Sequence, residues 1–162
     1  TISERSSKLF PFSGIYSASK NLIDLEKNKK IDQQVNTVSL FWETIGENMD
    51  QWRGVRVGNL SASEVRRDFI HTHVIILQAL GHMGKDLLKQ FPTNWKSKLK
   101  NLNKINWLKN NSIWQQRVII NGRVVKNNNS IILASNVIKK ALGIKLDAKE
   151  KALESQVKKS GK

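Results

Sequence analysis

Between Leu87 and Leu146 the chain carries twelve lysines and arginines and not one Asp or Glu. Cations at this density, unrelieved by carboxylates, do one kind of chemistry well: they neutralise a polyanion and release its condensed counterions. Ten of them are candidate nucleic-acid contacts: Lys96, Lys98, Lys100, Lys104, Lys109, Arg117, Arg123, Lys126, Lys139 and Lys140. Asn101, Asn103, Asn106, Asn110, Asn111 and the asparagines at 127–129 add neutral donors that suit phosphate and base edges. Arg117, Arg123 and Lys126 lie around a predicted hairpin and are the candidates for closest groove contact. An arginine fork pairs with guanine edges, whereas lysine acts as a point charge. Trp107 and Trp114 sit among these residues, where the choice is between core packing and stacking on bases.

Other chemistry has less support. His71, His73 and His82 fall on one predicted helix. The first two point to different faces, and His71 and His82 are three turns apart, too far to hold one metal. Arg67, His71, Gln78, His82 and Lys85 read as a polar stripe beside an apolar one. Glu43, Glu47 and Asp50 have helical spacing, which by itself makes a wet face rather than an acid–base pair. No phosphate-cradling Gly-Lys-Ser/Thr loop and no Gly-x-Ser-x-Gly elbow is present. The absence of cysteine excludes disulfides and thiolate metal sites. The expectation is a binding protein, not an enzyme, with no cofactor.

The chain has 162 residues and a net charge of +15. Residues 1–92 are nearly balanced at +2, and residues 93–162 carry +13. At 39% hydrophobic and 25% charged residues the composition is that of a globular domain. No apolar run approaches the ~20 residues that span a bilayer. The chain begins at Thr1 with no Met and no signal-peptide pattern, which reads as a fragment of a longer protein, and a cytoplasmic location is expected, with which the absence of cysteine agrees.

The elements that must position these groups are helical almost throughout. The prediction is a mainly α single domain over residues 1–162, with about six helices and one short β-hairpin near residues 118–126. Ser13 caps a first helix to about Asn28, and Lys27 to Lys30 is a connector. A second helix spans Ile31 to Trp52, with Ile31, Val35, Val38, Trp42, Ile45, Met49 and Trp52 on one stripe. Ser61 and Glu64 have capping-box spacing ahead of a long third helix, Ala62 to Gln90, which Pro92 ends. Thr93 caps a short helix bearing Trp95, Leu99, Leu102 and Ile105, and Ser112 caps a further turn. Asn121-Gly122 between β-branched runs is the hairpin signal. Ser130 caps a helix to Leu142 ahead of Gly143, and Asp147 and Glu150 open a last, polar helix.

Three stretches together resemble a known family. They are Arg5 to Phe10 (Arg-Ser-Ser-Lys-Leu-Phe) leading to Ile15-Tyr16; Phe69 to His73 (Phe-Ile-His-Thr-His) followed by Leu77 to Gly81; and Trp114 through Gly122-Arg123-Val124, with Ala141 to Gly143 later. The arrangement resembles the C-terminal part of the DndB family, the B component of bacterial DNA phosphorothioation systems, which are DGQHR-domain proteins. The namesake Asp-Gly-Gln-His-Arg motif does not occur in this chain. The resemblance implies a DNA-binding repressor of the modification gene cluster, with double-stranded DNA as partner. The alternative class is a protein-interaction module that docks other phosphorothioation-system proteins or an acidic partner.

Overall fold

The computed structural model describes residues 2, 3, 5–23 and 30–160, with side chains placed up to residue 157. Eight α-helices and one two-stranded hairpin lie among them: α1 (Phe12–Leu22), α2 (Ile31–Glu47), α3 (Asp50–Arg56), α4 (Ala62–Asp68), α5 (Val74–Gln90), α6 (Trp95–Leu99), β1 (Ile119–Ile120), β2 (Arg123–Val124), α7 (Asn128–Leu142) and α8 (Ala148–Ser160). Short 3₁₀ turns at Ile70–Thr72, Lys100–Lys104 and Ser112–Trp114 join them. The mainly α class with one short hairpin is therefore correct.

α5 is the axis of the fold. Ile75, Ile76, Leu77, Ala79, Leu80, Met83 and Leu87 are all buried, on more faces than an ordinary surface helix uses. α1 packs along one side and α7 along another. Gly81 makes the first contact possible: a Cβ there would lie 2.1 Å from the carbonyl oxygen of Ala18. Trp42 on α2 donates its indole N–H to Ser19 Oγ of α1 at 2.9 Å.

Two predicted helices are broken, which raises the count from six to eight. The second predicted helix stops at Glu47, and Met49 adopts an extended conformation before α3 begins. The break turns Trp52 inward, where its ring meets Phe10 at 4.5 Å and its N–H donates to His71 Nδ1 at 3.0 Å. The third predicted helix breaks at Phe69. Its backbone turns extended and bridges to Leu108; Ile70 N–H donates to Trp107 O, and Lys109 N–H donates to Asp68 O. Bonds to a distant segment thus replace helical ones.

Helix starts differ by a residue or more. Pro11 rather than Ser13 precedes α1, without a side-chain cap, and Asn94 rather than Thr93 precedes α6. Asn111 rather than Ser112 caps its 3₁₀ turn through its side chain. Asn127 rather than Ser130 caps α7, its side chain accepting from Ser130 N–H at 2.8 Å. The residues of the first predicted helix beyond Ile23 and most of the connector, 24–29, lie outside the described residues. The Asp147–Glu150 capping box forms in both directions, at 2.8 and 3.0 Å.

Gly81 and Gly46 should respond oppositely to alanine. Gly81→Ala forces a methyl group against a backbone carbonyl and should cost about 2 kcal/mol or more. Gly46→Ala, with nothing within 4 Å of the added methyl, should stabilise by up to about 1 kcal/mol through helix propensity. Urea midpoints at unchanged m-value measure both. Equal effects at the two sites would contradict the close approach of α1 and α5.

Candidate nucleic-acid interface

The hairpin stands on an aromatic foundation. Trp107 and Trp114 are buried and stacked, with ring centroids 5.3 Å apart. Their indole N–H groups donate to Leu102 O and Asn106 O. They are core residues and offer no face to a base. Val118 and Ile119 continue this core. The chain then turns through Asn121 (φ 51°) and Gly122 (φ 72°), the two positive values that a type I′ hairpin turn needs. Ile119 pairs with Val124 and Ile120 with Arg123. The tip, residues 120–123, is exposed, and so are Lys126 and the asparagines at 127–129 that follow. No carboxylate pairs with Arg123 or Lys126 among the described residues.

The ten candidate cations do not share one environment. Lys139 is fully buried, and its ammonium bonds to both Asp86 and Glu150. It is a structural charge, sealed from any phosphate while the chain is folded this way. Lys140 is exposed but paired with Glu154. Arg117 is 16% exposed and directs Nε and Nη2 to the two oxygens of the same carboxylate at 3.3 and 3.1 Å. These pairings correct the expectation of cations without counter-charge. Lys98 lies half-buried over the Phe91 ring, 4.4 Å from its centroid. Lys109 is half-buried too and donates to Arg66 O at 2.8 Å; its burial pulls its pKa down.

Five remain at the surface without an ion pair among the described residues: Lys96, Lys100, Lys104, Arg123 and Lys126. Lys96 and Lys100 share a cleft of about 430 Å³ with Glu43 and Glu47 of α2, so their field is partly offset. Arg123 on the hairpin, Lys126 just after it, and Lys104 at the end of a 3₁₀ turn form no ion pair among the described residues. Lys109 and Lys126 come together electrostatically at His73, which immediately precedes α5.

The histidines are structural. His71 is fully buried, accepting from Trp52 Nε1 on Nδ1, so its proton sits on Nε2 and is donated to Gln51 Oε1 at 3.2 Å. Its ring stacks on Phe69 at 5.3 Å. Burial lowers its pKa to about 3. Burial, then the positive charges of Lys109 and Lys126, lower that of His73 to about 4. His82, Asp86 and Glu150 offer donor atoms within 4.8 Å of one another, which sequence spacing did not reveal. The Lys139 ammonium already binds the two carboxylates and supplies the cation there.

The sequence also missed an apolar groove of about 450 Å³ between α1 and α2, with Tyr16, Ile23, Ile31, Val35 and Val38 in its walls. Of the predicted stripe, only Ile45 is buried within α2; Val38 and Trp42 are half-buried, Ile31 is 77% and Val35 55% exposed, and the buried Phe41 is not part of the stripe.

A family model described as "DndB: DNA-sulfur modification-associated" matches residues 1–145, nearly the whole chain. The chain belongs to the DndB family. No curated protein and no solved structure matches it. The match covers the aromatic foundation, the hairpin and α7, and ends before α8. No helix among the described residues of this DndB-family chain is long and apolar enough to cross a membrane.

The buried imidazoles set a pH dependence with a definite sign. Both titrate near 6.5 when unfolded and far lower when folded. The unfolded chain therefore binds more protons through this window, and the contribution is complete above pH 6.5 and lost as pH falls through 4 toward 3. His71 alone should contribute a loss of about 3 kcal/mol between neutrality and pH 4. A His71→Gln variant should be less stable at neutral pH and show a flatter acid limb in urea titrations. Parallel profiles for the two proteins would contradict the buried neutral imidazole.

Proposed function

We propose that this chain is a DNA-binding module of the DNA phosphorothioation system, acting as a transcriptional repressor of the modification genes. The observation that carries the reading is the segment from residue 120 to residue 129: a tight turn, exposed Arg123 and Lys126, four exposed asparagines and no carboxylate. A short hairpin of this kind enters a groove while neighbouring lysines rest on phosphates. Lys104 adds to the contact, and Lys96 and Lys100 contribute less because Glu43 and Glu47 face them. Family membership supports DNA modification as the setting. In this reading the role is binding without catalysis, in the cytoplasm.

A second reading, a module that docks another protein of the same system, has the exposed groove between α1 and α2 behind it. A pull-down with nuclease present separates the readings, because a DNA bridge disappears.

A gel-shift series with promoter duplex, random duplex and single strand tests the first reading. Wild-type affinity for duplex should fall steeply between about 50 mM and about 200 mM salt. The double variant Arg123→Ala/Lys126→Ala should bind about tenfold more weakly, with a log–log salt slope shallower by about 1.8, two phosphates' worth. Salt-independent binding, or a double variant as tight as wild type, would contradict the assignment.

A further inference from the structure

We propose that Glu154 occupies a phosphate site and that α8 is a displaceable cover over it. The site is the notch formed by Arg117 and Lys140, and its ligand class is the phosphodiester of a nucleic-acid backbone. This rests on the DNA-binding reading above.

The geometry around Glu154 is that of an anion site already filled. The Arg117 guanidinium presents Nε and Nη2 to the two carboxylate oxygens at 3.3 and 3.1 Å, and the Lys140 ammonium bonds to Oε2. A guanidinium fork takes a phosphate in the same two-point manner. The hydrogen bonds from Arg117 and Lys140 hold the Glu154 carboxyl below its usual range even though burial opposes them. The notch is not sealed: the Lys140 side chain is 49% exposed.

α8 is attached in an unusual way. A surface helix ordinarily buries an apolar stripe. Among the described side chains of α8, the two that are buried are its two acids, Glu150 and Glu154. They lie four residues apart and so share a face. Leu153 and Val157 are half-buried, and Lys149 and Lys151 point outward. The hold is therefore largely one of charge, and a polyanion competes for the same cations. α8 also starts beyond the last residue that the family model matches, so the notch lies within the shared part and its cover outside it. Lys139 is not part of the notch: it is fully buried, and Asp86 of α5 pairs with it independently of α8.

The test compares wild type, Glu154→Gln, Lys140→Ala and the double variant by anisotropy of a labelled duplex at about 50 mM and about 200 mM salt. Glu154→Gln removes the stand-in charge. It should bind about tenfold more tightly at the lower salt, with a slope steeper by about 1.8. Lys140→Ala should remove about half of the gain in the Glu154→Gln background. In unmutated protein, excess duplex should speed amide exchange in α8 at least tenfold while α7 stays protected, a readout that does not depend on any variant folding. Wild type that binds duplex, with Glu154→Gln indistinguishable from it or α8 equally protected with duplex present, overturns the cover alone. Failure of wild type and Glu154→Gln alike to bind duplex overturns the DNA reading and the cover with it.

Discussion

An ammonium group with no exposed surface must be neutralised where it lies, and Lys139 imposes that requirement on three helices at once. Asp86 comes from α5, Glu150 from α8, and Lys139 itself from α7. Removing Lys139 from this set leaves two carboxylates side by side without their cation, at a cost of about 3–5 kcal/mol. Glu150 has a second duty, since its other oxygen accepts from Asp147 N–H at the start of α8. One carboxylate thus starts α8 and fixes it to α7. With Glu150 in place, Glu154 one turn later reaches Arg117 and Lys140. The internal neutralisation of the basic half follows from this arrangement, and so does the identity of the cations left facing solvent.

The hairpin depends on a different constraint. Residues 105–118 contain little regular structure, so their order comes from side chains. A chain of rings supplies it, from Phe10 through Trp52 and His71 to Trp107 and Trp114. Each indole N–H of Trp52, Trp107 and Trp114 has an acceptor, which makes burial of these large polar-tipped rings favourable. The Phe69 ring stacks on His71, which ties the Phe69–Leu108 bridge to the same chain of rings. Arg123 and Lys126 are accordingly carried on a positioned element.

Much of the fold is legible from local signals. The hairpin announces itself in Asn121-Gly122, α8 in Asp147 and Glu150, and the end of α7 in Gly143, because turn and cap chemistry is decided within a few residues. What the sequence conceals is set by long-range partners. The break at Phe69 exists because the backbone of residues 107–109 competes for its hydrogen bonds, some forty residues away. The basic half looks unpaired along the chain since its carboxylates arrive from Asp86, Glu150 and Glu154, with separations from 11 to 53 residues. Burial of Trp107 and Trp114 is equally invisible among their lysine and asparagine neighbours. The apolar positions of α2 are readable, but not that Ile31 and Val35 would remain in water.

The central claim is that nucleic acid meets this molecule at the exposed turn and loop beyond Val118. Isotope-labelled protein titrated with a short duplex, followed by backbone amide resonances, tests it most directly. The account predicts shifts at residues 120–127 and at Lys104, with α1 and the first half of α2 unmoved. Shifts confined to the groove between α1 and α2, or none at all at saturating duplex, would contradict it.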